Sequence, residues 1–147
     1  MTAPSHDLSG RLVLVTGATR GIGRAVAVAA ARAGAELIIT GRTLGALEEV
    51  DDDIRVAGGS ATIVQLDMTD FPAIPRLAAA IASRWERLDG FVANAGMLTA
   101  LTPVSHVTPE NWDESMAVNL TGQWHMIRAL ESFYRIKGTT LYIVRKN

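Results

Sequence analysis

The sequence predicts an α/β protein, a doubly wound, mostly parallel sheet of four or five strands with helices on both faces in three α/β/α layers. Three observations predict it. Short β-branched runs alternate with longer stretches whose apolar residues recur at helical spacing, an order that right-handed crossovers fold into one open sheet. The runs are apolar throughout, as strands covered on both faces are, and glycines mark the junctions between runs and helices. With 147 residues, 48% hydrophobic and 20% charged, the chain suffices for one packed domain over 1–147, and it has no cysteine to cross-link it.

Taken in order, Arg11–Thr16 is the first strand, buried on both faces and followed by glycine. Ile22, Val26, Ala29, Ala30 and Ala33 then keep helical spacing up to Gly34, which suits a left-handed C-terminal cap. Glu36–Thr40 is a second strand, Leu44–Ala57 a helix closed by Gly58 and Gly59, and Ala61–Gln65 a third strand. Pro72 and Trp85 bracket a third helix, and Asp89–Ala93 is a fourth strand. Thr108 caps a long helix with Pro109 at its first position, running to about Tyr134. Its apolar side is expected to include Trp112, Met116, Leu120, Trp124, Ile127 and Leu130, with Gly138 as its cap and Thr139–Val144 as a fifth strand.

Charge narrows the function. Fourteen Lys and Arg balance fifteen Asp and Glu to a net −1, so no basic face is expected for nucleic acid. His6, His106 and His125 are far apart and lack cysteine companions, which argues against a metal site. The first ten residues have no leader pattern and no apolar run would span a bilayer, so a soluble cytoplasmic protein without membrane contact is expected. The acidic run Asp51–Asp53 reads as a solvated helix face, and Trp85, Trp112 and Trp124 as core or interface anchors.

The chemistry begins at Thr16-Gly17-Ala-Thr19-Arg20-Gly21-Ile22-Gly23, between the first strand and the first helix. Glycines there let the backbone turn tightly and approach a diphosphate, while free N–H groups at the helix start supply donors and partial positive charge. The spacing is G-x-x-x-G-x-G. With it, the chain resembles the short-chain dehydrogenase/reductase family, whose Rossmann-like domain binds NAD or NADP. Three more segments carry the resemblance: Asp67-Met68 after the third strand, Asn94-Ala95-Gly96 after the fourth, and Val118-Asn119-Leu120 in the long helix. The resemblance covers residues 11–131, and 132–147 diverge from it. It implies that Asp67 holds the adenine amino group, that Asn94, Ala95 and Gly96 pack beside the cofactor, and that Asn119 is the structural and catalytic Asn. Taken singly, Asp67 equally fits a turn cap, Asn94 a left-handed turn residue and Asn119 an ordinary helix-surface residue.

Cofactor choice is argued from the end of the second strand, where a carboxylate would accept the adenosine ribose hydroxyls and repel a 2′-phosphate. The chain has no acid there, only Thr40-Gly41-Arg42-Thr43. Arg42, assisted by Arg20, offers a planar fork for phosphate, so NADP(H) is expected over NAD(H).

In the family this chain resembles, a Tyr phenol transfers the proton, a Lys four residues later lowers its pKa, a Ser orients the substrate and the Asn supports a water relay. Only Asn119 has a counterpart. Tyr142 and Lys146 fit Y-x-x-x-K by letter, but a strand there would separate them by about 13 Å, at about 3.3 Å per residue. Tyr134 and Lys137 have the wrong spacing. The change of pattern after Ser132 is what a frameshift or early stop would leave, and the chain is expected to be a catalytically incomplete oxidoreductase acting, in complete form, on a small carbonyl or alcohol, and to be a homo-oligomer. The alternatives are a non-catalytic dinucleotide-binding regulator and an inactive fragment.

Overall fold

The computed structural model describes residues 6–133 together with the backbone of 140–143. Five parallel strands form one sheet: β1 (Leu12–Thr16), β2 (Glu36–Gly41), β3 (Ser60–Gln65), β4 (Gly90–Ala93) and β5 (Thr140–Ile143), in the order β3-β2-β1-β4-β5. Helices α1 (Gly21–Arg32), α2 (Leu44–Val56) and α3 (Ala73–Arg84) link the first four strands. α4 (Pro109–Met116) and α5 (Gly122–Ala129) lie between β4 and β5 and are joined by a π-helical turn over Ala117–Thr121. The predicted α/β layering is what the chain forms, with element ends displaced by a residue or two.

The all-apolar strands have a direct consequence. Val13, Val15, Leu37 and Ile39 face α1 and α2 in one core, while Leu12, Leu14, Ile38 and Phe91 face α3 and α5 in a second. Period-two alternation sends neighbouring residues to opposite faces, and both faces are dry. Chain order reverses between β1 and β4. Their C-terminal ends form the switch point at which open α/β sheets leave a crevice.

Two expectations need correction. Asp51–Asp53 is not uniformly solvated: Asp51 is only 7% exposed and pairs with Arg55 at 2.7 Å, while Asp53 takes Arg24 of α1 at 2.6 Å. Consecutive helical residues are about 100° apart, so three in a row cannot all face away from the sheet. The apolar side expected for the long helix also divides. Val118, Gly122, Met126 and Leu130 are its buried seam, whereas Trp112, Leu120 and Trp124 are each more than half exposed. The exposed set is offset from the buried seam by two residues, about 200° around the axis, so the helix carries two apolar faces and buries one. Trp112 and Trp124 are therefore not core anchors. Trp85 is partly buried against the second core, and its indole N–H donates to Glu36.

Tyr142 lies in β5, where its backbone is in register with Val92. Lys146, Tyr134, Lys137 and Gly138 lie outside the described residues.

Candidate functional site

β1 ends at Thr16, whose fully buried hydroxyl joins the two halves of the switch point. Its Oγ1 donates to the Val92 carbonyl at 3.3 Å and accepts the N–H groups of Asn94 and Ala95, each at 3.1 Å. Asn94 returns the connection: its Nδ2 donates to the carbonyls of Thr16 at 3.0 Å and Gly17 at 2.9 Å. Every contact crosses between segments nearly eighty residues apart, and together they seat the first loop against the β4 end. Asn94 is 3% exposed, and no non-glycine residue among the described ones has positive φ, so Asn94 is a buried bridge rather than a left-handed turn residue.

Glycine is required twice for this approach. Gly17 has φ +64°, and a Cβ there would stand 2.7 Å from the Ala95 Cα. At Gly23, on the first turn of α1, a Cβ would collide with the Gly17 carbonyl oxygen and the Asn94 amide nitrogen. Gly21 and Ile22 begin that turn. Arg20 precedes it with extended backbone, no side chain caps the turn and no acidic residue occupies it. Its leading N–H groups and the positive end of the helix dipole are left for an anion.

One groove crosses the carboxyl ends of the strands. It is lined by Gly17, Thr19 and Arg20 after β1, Arg42 after β2, Asp67 and Met68 after β3, and Ala95 and Gly96 after β4. Eight residues predicted from separate parts of the sequence thus meet on one surface. The loop carrying Arg42 is held by Gln65, whose Nε2 donates to the Arg42 carbonyl at 2.8 Å. Among the described residues, neither the Arg20 nor the Arg42 guanidinium has a hydrogen-bond or ion-pair partner. Asp67 caps its own turn, accepting the Thr69 N–H and hydroxyl at 2.8 Å each. The Thr69 amide and then its hydroxyl hold Asp67 below its ordinary carboxylate pKa, with a smaller contribution from Arg42. It is therefore an anionic acceptor at neutral pH.

Asn119 lies on the π-helical turn, next to Val118, which lines the groove. Its Oδ1 accepts the Met97 N–H and its Nδ2 donates to the Met97 carbonyl, both at 2.8 Å. It is no ordinary surface residue, since it holds the segment after Gly96 by both edges of one peptide-like amide. Two participants escaped the sequence reading. Thr16 stands in the sequence as the last residue of a strand and the first of the glycine motif, with no role of its own, and Gln123, whose Nε2 donates to the Ala95 carbonyl, only as a polar residue one turn beyond Asn119. No cluster of three His, Cys, Asp or Glu able to hold a metal, and no helix long and apolar enough to cross a membrane, occurs among the described residues.

A glycine-seated helix start, an asparagine bridge and a second asparagine on a helix meet at the carboxyl ends of the strands, and the family model for short chain dehydrogenase matches residues 11–143. The chain belongs to the short-chain dehydrogenase family. Sorbitol dehydrogenase of Cereibacter sphaeroides is 37% identical over 123 residues, 84% of this chain and 46% of that protein. An NADP-dependent 3-hydroxy acid dehydrogenase of Shigella flexneri is 33% identical over 119 residues, 81% of this chain and 47% of that protein. A metagenomic short-chain oxidoreductase solved in complex with NADP superposes with a TM-score of 0.89 at 32% identity, covering 95% of this chain and 64% of that one. The chain spans about half the length of these curated short-chain dehydrogenases.

Proposed function

We propose that the groove holds NADP(H) in preference to NAD(H), as the cofactor half of an oxidoreductase acting on a small carbonyl or alcohol. The observation that carries this is the pair of unpartnered guanidiniums, Arg20 and Arg42, lining the groove where no carboxylate follows β2. The site fits the cofactor on its own chemistry: an uncapped helix start suits a diphosphate, and two arginines suit a 2′-phosphate. When bound, the nicotinamide gives or takes a hydride.

The chain's own residues divide the remaining work. Gly17, Thr19, Gly21, Ile22 and Gly23 present backbone to the diphosphate. Asp67, ionised at neutral pH, would with Met68 hold the adenine, its carboxylate accepting the amino group. Asn94 fixes the loop to β4, Ala95 and Gly96 would admit the cofactor closely, and Asn119, which holds the Met97 segment, is read as the counterpart of the family's catalytic Asn. Tyr142 on a strand does not meet the helical requirement of a proton-transferring Tyr and Lys, so this chain binds without appreciable turnover.

We also read the protein as cytoplasmic and as a homo-oligomer that covers the exposed Trp112, Leu120 and Trp124 face. The test is an NADPH titration followed by nicotinamide fluorescence, then a panel of ketones and quinones. Saturable binding that NADH matches only at higher concentration, without NADPH consumption, is expected. Equal affinity for both dinucleotides would defeat the preference, and no binding would defeat the site.

A further inference from the structure

The dinucleotide reading gives the buried amide of Gln123 no task. Gln123 lies one helical turn beyond Asn119, and its Nε2 donates to the Ala95 carbonyl at 2.5 Å. Its Oε1 is buried and has no partner. On its other side, the Ala95 N–H donates to Thr16 Oγ1 at 3.1 Å. The two peptide groups of Ala95 are thus tied to β1 through Thr16 and to α5 through Gln123.

The place of Ala95 matters more than that of an ordinary loop residue. It lines the groove, and its Cα lies so near Gly17 that no Cβ would fit between them. Any drift of Ala95 therefore alters the groove at the loop that meets the diphosphate. Asn119 fixes Met97, two residues on, but neither of its bonds reaches Ala95. A residue placed there for stability alone would not be a half-satisfied amide, because a buried acceptor without a donor is destabilising and an apolar side chain of like shape avoids it.

We propose that Gln123 is a positioning residue: its amide holds the Ala95 carbonyl and so sets the inner wall of the cofactor groove, at some expense of fold stability. The proposal rests on the dinucleotide reading and adds to it a residue outside the glycine loop that tunes affinity. The experiment compares the full chain with Gln123→Met and Gln123→Glu, measuring NADP+ affinity by calorimetry and Tm by thermal denaturation.

Methionine keeps the shape and removes both the donor and the orphaned acceptor. Q123M should have a Tm equal to or above wild type and bind NADP+ about fivefold more weakly, the net effect of one hydrogen bond. Glutamate has a proton to give the Ala95 carbonyl only when protonated. The affinity of Q123E relative to wild type should therefore be lowest at pH 8 and rise as pH falls through its carboxyl pKa. A Q123M protein that loses Tm, or binds NADP+ as wild type does, overturns the proposal, as does a pH-independent Q123E ratio. If wild type itself binds no NADP+, the dinucleotide reading falls and the proposal falls with it, a failure distinct because it appears in the unsubstituted chain.

Discussion

Gly17→Ala, read against Gly10→Ala, isolates the close approach on which the groove is built. Both glycines have positive φ, +64° and +71°, so alanine costs about 1 kcal/mol at each from backbone strain alone. At Gly10 nothing lies within 4 Å of the added Cβ, whereas at Gly17 it would stand 2.7 Å from the Ala95 Cα. Ordinary contact begins near 3.4 Å, so the two backbones must separate by roughly 0.7 Å. That movement draws the Ala95 N–H from 3.1 Å to beyond hydrogen-bond range of Thr16 Oγ1, and an orphaned buried amide costs about 1–3 kcal/mol. Gly17→Ala should therefore lose about 2–4 kcal/mol and Gly10→Ala about 1 kcal/mol. In urea, with a slope of about 1–2 kcal/mol/M for a chain of this size, the two midpoints should differ by about 1 M. Equal midpoints would refute the reasoning, because the strain is shared and only the Ala95 approach differs.

Other perturbations read other parts of the molecule. Thr16→Val keeps the shape but strands the Asn94 and Ala95 amides, and should lower stability by about 3 kcal/mol in thermal denaturation, with Thr16→Ser recovering most of it. Arg42→Ala should weaken NADPH about tenfold in fluorescence titration and leave NADH within about twofold, as loss of one charge-assisted phosphate contact requires. At the opposite end of the sheet, burial works to raise the Asp89 pKa. The Leu12 N–H at 2.8 Å, then Arg11 and Arg87, outweigh it and hold the carboxyl below its ordinary range. Its folded pKa lies below the unfolded one, so its stabilisation is present above the unfolded pKa and is lost as pH falls through the folded value. Both arginines are about half exposed and contribute little, so Asp89→Asn should cost about 1–2 kcal/mol at pH 7 and converge on wild type in acid, read by urea midpoints across pH. Trp124→Glu should shift sedimentation toward a smaller species without weakening NADPH, since the indole lies on the face of α5 turned away from the core.

The fold was legible because its signals are local. Short, β-branched apolar runs such as Leu37–Ile39, bounded by glycines, favour strands covered on both sides, and Gly34 and Gly58 stop helices by a conformation, positive φ, that other residues resist. The groove was legible for the same reason, because Gly17, Arg42, Asp67 and Asn94 each follow a strand, and parallel strands bring their carboxyl ends together. What stayed hidden depends on packing between distant segments. Nothing near Asp51 says that it turns inward while Asp53 meets Arg24, and nothing in the spacing of Trp112, Leu120 and Trp124 says that the core takes Val118 and Met126 instead. A helix apolar on two sides leaves that choice to its partners. Thr16 and Gln123 were silent because their roles are hydrogen bonds to backbone, which any sequence could offer.

The arrangement around Thr16 also bears on how the site would bind. Loops that order on contact with a ligand lose conformational freedom at that moment and bind more weakly for it. Here the Gly17 loop is tied to Asn94 by two hydrogen bonds, Asn94 and Ala95 to Thr16 by two more, and Met97 to Asn119 by another pair. All are made within the protein, so the wall is set before a cofactor arrives. The groups that would meet the nucleotide's charges, the helix-start amides and the Arg20 and Arg42 guanidiniums, have no side-chain hydrogen-bond or ion-pair partner among the described residues. A rigid backbone carrying unpaired donors should bind fast and with little change in structure, so hydrogen exchange on NADP+ addition should slow at the amides of α1's first turn and barely at Asn94 and Ala95. Strong new protection at Asn94 and Ala95 would mean that the wall forms only with the ligand.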